Sequence, residues 1–225
     1  MSSGQIAGPV GEAHDRHSEP QATIVPMEIT DLPLFPLATV LYPDGILNLR
    51  IFEARYLDLV RECTREGKPF GVCAVLGSEP HDGAARNSEA AAIGTLARII
   101  DFDAQSDGLL GIQAVGGERF RALRTRIAAN GLIRADVEIT PTPDKRPIAP
   151  EFGLLNSILG RLIEQAGDQL PQAMREPVDD ADWLACRLAE LLPLSLQERQ
   201  ILLEMDEPEQ RLAELLQILP RFQKA

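Results

Sequence analysis

Apolar and polar positions along this chain fall into two regimes. From residue 31 to about 140 the apolar residues come in short runs bounded by Gly, Pro, Asp or Asn, and beyond 150 they recur at helical spacing. The first run, Asp31-Leu32-Pro33-Leu34-Phe35-Pro36-Leu37, is interrupted by prolines, which remove backbone donors and favour extended chain, so it predicts an edge strand. Residues 39–42 are β-prone, Pro43-Asp44-Gly45 signals a turn, and residues 46–51 resume the extended pattern. The period then changes. Phe52, Tyr56, Leu59, Val60 and Cys63 recur at helical spacing and predict a helix over 52–66. Gly67 supplies a left-handed cap and Pro69 forbids continuation. Phe52 and Tyr56, on one helical face, are expected to pack under the sheet. A compact apolar strand follows over 70–76, then a polar loop over 77–87. Four more strands are predicted over 93–102, 109–115, 119–127 and 132–139, the rhythm of an antiparallel barrel or sandwich.

Past the proline-rich stretch 141–150, Leu154, Leu155, Ile158, Leu159, Leu162 and Ile163 form a helical stripe. Further helices are predicted over 179–192, 195–204 and 207–219, with Pro193 separating two of them. Ser195 and Glu198 stand at capping-box spacing, and Asp206-Glu207-Pro208 offers a cap and a proline suited to a first helical turn. The reading is therefore α+β: a leader over 1–30, a β-rich part with one inserted helix over 31–149, and a helical bundle over 150–225.

Composition narrows the class. Residues 1–30 mix Gly, Pro, Ser, His and acidic residues without a period, so they bury too little to offset ordering and read as a flexible leader. Met27 leaves open whether translation starts there or at Met1. No apolar run approaches the roughly 20 residues of a membrane span, and no secretory signal opens the chain, so a cytoplasmic protein is expected. Cys63, Cys73 and Cys186 are odd in number and widely spaced, as reduced core residues would be. The net charge of −12 is uneven, with 14 basic against 16 acidic residues over 31–149 and 7 against 14 over 150–225. That balance repels phosphate backbones and disfavours nucleic acid.

Candidate chemistry is sparse. There is no phosphate-cradling loop, and Gly67-Lys68-Pro69 reads as a turn. His14 and His17 lie in the leader and His81 stands alone in a loop, so no metal or cofactor is implied. No serine sits in a nucleophile elbow and no Cys–His pairing is suggested. The acidic cluster Glu204, Asp206, Glu207 and Glu209 lies at a helix junction, where carboxylates cap. One basic segment remains: Arg119, Arg121, Arg124 and Arg126, with Phe120 interleaved as on some nucleic-acid surfaces. Strict alternation would split these arginines between two strand faces unless a bulge intervenes, and a solvated strand is the simpler reading.

The runs Leu32-Pro33-Leu34-Phe35-Pro36-Leu37, Val40-Leu41-Tyr42-Pro43 and Leu49-Arg50-Ile51-Phe52-Glu53-Ala54-Arg55-Tyr56 resemble the opening of the Lon protease N-terminal, substrate-binding domain family. The likeness continues through Phe70-Gly71-Val72, Gly94-Thr95-Leu96-Ala97 and Gly117-Glu118-Arg119-Phe120-Arg121, and returns at Leu192-Pro193-Leu194-Ser195 and in the two helices that follow. It implies a PUA-like β pseudobarrel with one inserted helix and a C-terminal helical bundle, with neither ATPase nor peptidase. It also implies a non-catalytic module whose partner is an unfolded polypeptide or another protein, with RNA binding through the basic strand as the alternative. The motif residues Pro33, Phe35, Pro36, Pro43, Arg50, Phe52, Glu53, Arg55 and Tyr56 are read as structural, with Arg50, Glu53 and Arg55 forming a local ion-pair network.

Overall fold

Prolines in the opening run do not confine it to an edge. In the computed structural model, which describes residues 27–76, 89–104 and 109–222, strand β1 (Glu28–Leu37) has a partner on each flank. Its first part, up to Leu34, runs antiparallel to β7 (Ile133–Thr140), and from Leu34 to Leu37 it runs parallel to β3 (Phe70–Leu76). Pro33 precedes the parallel pairing and Pro36 follows the antiparallel one, so each proline sits where one flank lacks a strand and its missing N–H costs no ladder bond. The edge-strand expectation is corrected on this ground, and β1 begins at Glu28, ahead of the expected 31. The leader before residue 27 lies outside the described residues.

Between β3 and β7 come β5 (Ile93–Ala104) and β6 (Leu110–Ile127), which complete the neighbour sequence β1-β7-β6-β5-β3. Because β1 also pairs with β3, the ring of strands closes on itself, and closure leaves no edge where those strands are paired on both flanks. Strand β2 (Ile46–Ile51) joins β6 outside that ring, and the two-residue β4 (Glu89–Ala90) joins β3. Strand β6 is a single strand where the sequence suggests two. Gly116 is needed for close approach rather than for a turn: a Cβ there would lie 2.1 Å from the Tyr42 carbonyl oxygen. The Pro43-Asp44-Gly45 turn docks on it, with Asp44 N–H donating to Gly116 and Gly116 N–H donating to Gly45.

Residues 39–42 form a buried loop, not a strand, because their polar groups are used by distant side chains: Thr95 Oγ1 donates to the Leu41 carbonyl at 2.6 Å. Helix α1 (Ala54–Glu66) ends as expected on Gly67, whose φ of 64° lets its N–H reach the Cys63 carbonyl. It starts later than expected, with Glu53 as N-cap.

The helical part comprises α2 (Gly153–Ala166), the short α3 (Gln172–Arg175), α4 (Ala181–Leu191), α5 (Leu196–Glu204) and α6 (Pro208–Ile218). Leu155, Leu159, Leu184, Leu188, Leu212 and Leu215 build its core, and Val40, Tyr42 and Ala74 join it from the β-rich part. Helix α4 is buried nearly all round, as a central helix is. The Ser195–Glu198 capping box is present. Pro208 occupies the first turn of α6, but its N-cap, Glu207, makes no side-chain cap bond, and Asp206 is engaged elsewhere. No helix among the described residues is long and apolar enough to cross a membrane.

Candidate functional site

Many polar groups buried between the strands and the helices are held by main-chain carbonyls, although Arg187 Nη1, Glu190 Oε2 and Gln200 Oε1 make no hydrogen bond among the described residues. Arg119, on β6, is 5% exposed and donates to the carbonyls of Leu203 (2.8 Å) and Met205 (3.1 Å) and to Asp206 (2.9 Å). From the other side Arg211 of α6 donates to the carbonyls of Leu202 (2.7 Å) and Met205 (2.6 Å) and to Asp182 (2.5 Å). Two guanidinium groups therefore satisfy the carbonyls that the C-terminus of α5 leaves without intrahelical donors, where positive charge is favourable. Arg199 serves α4 in the same way through the carbonyls of Glu190 and Leu192.

Arg187 of α4 donates to the Pro43 carbonyl and pairs with Glu190 at 3.2 Å. Burial pushes the Glu190 carboxyl up to about 7, against the pull of Arg187 and Arg199. Burial also raises the phenol of Tyr42, whose hydroxyl donates to the Arg199 carbonyl at 2.6 Å. The three cysteines are buried and unbridged, and burial pushes their thiols up to about 12, so they are not nucleophilic thiolates at neutral pH. No group of three or more His, Cys, Asp or Glu that could hold a metal occurs among the described residues; His14, His17 and His81 lie outside them.

The motif residues of the opening strand and α1 form one anchor. The rings of Phe35 and Tyr56 stack at 4.0 Å, and Arg55 lies over Tyr56 at 4.8 Å. Arg55 pairs with Glu53 at 2.7 Å and donates to the Gly131 carbonyl at 3.3 Å, tying the start of α1 to the β6–β7 turn. Arg50 lies on β2 opposite Gly111. Phe52 is the exception: it precedes the helix and is 72% exposed, so it does not pack under the sheet.

The four arginines of β6 part company. A register shift between Ala122 and Arg124 inserts Leu123 as an extra residue. Arg119, Arg121, Arg124 and Arg126 then stand opposite Thr140, Glu138, Asp136 and Arg134, all on the face away from buried Ile139, Val137 and Ala135. Arg119 turns into the helical part and is withdrawn from any nucleic-acid surface. Arg126 pairs with Asp31, which also holds Arg134 at 3.0 Å. Arg121 and Arg124 are exposed and have no hydrogen bond or ion pair among the described residues. Phe120, the interleaved aromatic, is fully buried and cannot stack on a base.

A second exposed feature was not singled out from sequence. The stretch of β5 over residues 98–102 pairs with β6 on one flank and has no strand partner on the other among the described residues. On it, Ile100 and Phe102 are 49% and 48% exposed. A hollow of about 580 Å³ at Phe102 is lined by Leu49, Phe102 and Ile112 together with Arg50, Asp101 and Asp103. The sequence signal was present in Ile100-Asp101-Phe102-Asp103, where apolar and acidic residues alternate.

Comparison with known proteins agrees with this architecture. Residues 31–221 match the family model described as the ATP-dependent protease La (LON) substrate-binding domain. The chain is 30% identical over 192 residues to Lon protease 2 of Syntrophobacter fumaroxidans, covering 81% of this chain and 23% of that protein. It thus spans about a quarter of the length of the curated Lon proteases it matches. A solved Lon N-terminal domain protein from Xanthomonas campestris is 42% identical, with a TM-score of 0.69 over 84% of this chain and 98% of that one. The N terminal domain of Mycobacterium avium complex Lon protease, 16% identical with a TM-score of 0.57 over 83% of this chain and 96% of that one, shares the fold. With both the closed sheet and the helices inside the matched span, the chain belongs to the LON substrate-binding domain family.

Proposed function

We propose that the chain is a non-catalytic polypeptide-recognition module that receives an extended segment along the open flank of β5. The observation that carries this reading is the flank of residues 98–102 without a strand partner among the described residues, with half-exposed Ile100 and Phe102 on it, in a member of a substrate-binding family. Unpaired N–H and C=O groups supply affinity to an added strand, and alternate side chains supply preference. Asp101 and Asp103 guard the same flank against self-association, and the Asp101 carboxylate already accepts the Phe102 N–H at 2.8 Å. The absence of catalysis is supported by the buried arginines, carboxylates and thiols, which are engaged structurally or kept protonated.

The test uses a reduced, carbamidomethylated protein as a permanently unfolded probe. Binding by the wild-type chain, weakened about tenfold or more by Ile100→Ser with Phe102→Ser, is expected. Binding no better than that of an inert domain of equal size would overturn the proposal.

A further inference from the structure

The tight turn that joins β6 to β7 carries a chemically reactive pair. Of the chain's four asparagines, Asn130 alone is followed by glycine. With no Cβ on Gly131, its backbone nitrogen can approach the Asn130 side-chain amide without a clash. The turn is closed by two main-chain bonds, Gly131 N–H to the Ala128 carbonyl and Ala128 N–H to the Leu132 carbonyl, each 2.8 Å, and Gly131 has a φ of 81°. Asn130 is exposed, yet its side chain is held at both ends. Its Oδ1 accepts the Leu132 N–H at 3.1 Å, and its Nδ2 donates to Asp58 Oδ2 of α1 at 3.1 Å. The Gly131 carbonyl accepts Arg55 of the same helix at 3.3 Å. Both residues of the pair therefore tie α1 to the hairpin.

From this arrangement we infer that Asn130 is a site of spontaneous deamidation, that α1 restrains the reaction, and that its product loosens the tie between α1 and the turn. The Gly131 nitrogen gives up its proton to solvent and attacks Asn130 Cγ. A nitrogen–carbon bond forms, the Cγ–Nδ2 bond breaks, and ammonia leaves with a proton from water. Water then opens the resulting five-membered imide at either carbonyl, leaving aspartate or isoaspartate at this position. In the closed turn the Gly131 N–H is engaged by Ala128 and the Asn130 amide is pinned by Asp58, so the reaction proceeds from an opened turn. The bonds from Asp58 and Arg55 set how often it opens. After reaction the donor that met Asp58 has become a carboxylate, and two like charges stand where a hydrogen bond stood. Arg61, on the other Asp58 oxygen at 2.9 Å, softens that repulsion and does not restore the lost donor. Isoaspartate also lengthens the main chain and displaces the oxygen that accepts the Leu132 N–H. Asn48 and Asn156 serve as internal references: they lie within β2 and α2, and Leu49 and Ser157 follow them.

The test incubates the full chain in mildly alkaline buffer and follows each asparagine by peptide mapping and mass spectrometry. A gain of about 1 Da, the exchange of an amide for an acid, is expected at Asn130 and not at Asn48 or Asn156. Isomerisation at the chain's Asp-Gly pairs leaves the mass unchanged and does not interfere. Asp58→Ala, a change at a half-exposed side chain that the fold should tolerate, is expected to speed the reaction about threefold or more. Hydrogen exchange of Asn130→Asp, made directly, reads the product's effect: the amides of α1 around Asp58 should exchange faster than in the wild-type chain. No mass gain at Asn130, an equal gain at Asn48 or Asn156, a rate indifferent to Asp58→Ala, or α1 exchange unchanged by Asn130→Asp would overturn the inference.

Discussion

Arg119 and Arg121 are two residues apart on one strand and lead different lives. Arg119 meets the carbonyl-rich end of α5 and disappears into the molecule, whereas Arg121, between Ile93 and Glu138 on the neighbouring strands, stays in water. The side chain does not decide the role; what lies above it does. Over Arg119 the helical part presents orphan carbonyls and a carboxylate, and a planar guanidinium with several donors can satisfy them together. Arg121 and Arg124 meet no such helix end among the described residues and stay exposed.

The largest expected effect lies at the buried end of this contrast. Arg211→Ala would leave Asp182 charged and buried and would strip donors from the carbonyls of Leu202 and Met205, so unfolding in urea should show a loss of about 3–5 kcal/mol. Arg119→Ala should cost less, about 2–3 kcal/mol, because its carboxylate partner Asp206 is exposed and can return to water. A result below about 0.5 kcal/mol for either would remove the distinction between the two regions.

Glu190 gives a pH test of the same seam. Burial raises its pKa from the ordinary 4.5 to about 7, so the folded chain holds a proton that the unfolded chain has released between those values. Its contribution to stability is therefore full below about 4.5 and is lost as pH rises through about 7. Asp44 opposes the charged form, while Arg187 and Arg199 favour it. In Glu190→Gln the fall in stability between pH 5 and pH 8 should shrink; an unchanged slope would show that this carboxyl is not perturbed. The smallest effect belongs to the exposed end, where Arg121→Glu with Arg124→Glu should shift stability by only about 0.5 kcal/mol.

Much of the fold was readable because local signals and packing agree. Gly67 ending α1, the Ser195–Glu198 box and the leucine stripe of α2 each appear where the residues direct. Errors came where a residue answers to distant chain. Gly116 reads as a turn but admits the Tyr42 carbonyl, and Pro33 and Pro36 read as an edge but stand where β1 exchanges partners. The spacing of Phe52 suits a helical face, yet the helix starts after Glu53 and leaves the ring in solvent. At the candidate site the four arginines were visible, but which of them are free depended on a bulge and on the docking of α5, neither of which marks the sequence. Ile100 and Phe102 were hidden for the opposite reason: an apolar residue in a strand pattern reads as core, and here no element among the described residues covers it.

Hydrogen–deuterium exchange of the full chain, with and without the reduced, carbamidomethylated protein, tests the polypeptide-recognition account most directly. The account predicts that the amides of residues 98–102 gain protection on binding while those buried in the closed sheet, such as Val137 and Phe120, are unchanged. Binding that leaves residues 98–102 exchanging as in the free chain would contradict it.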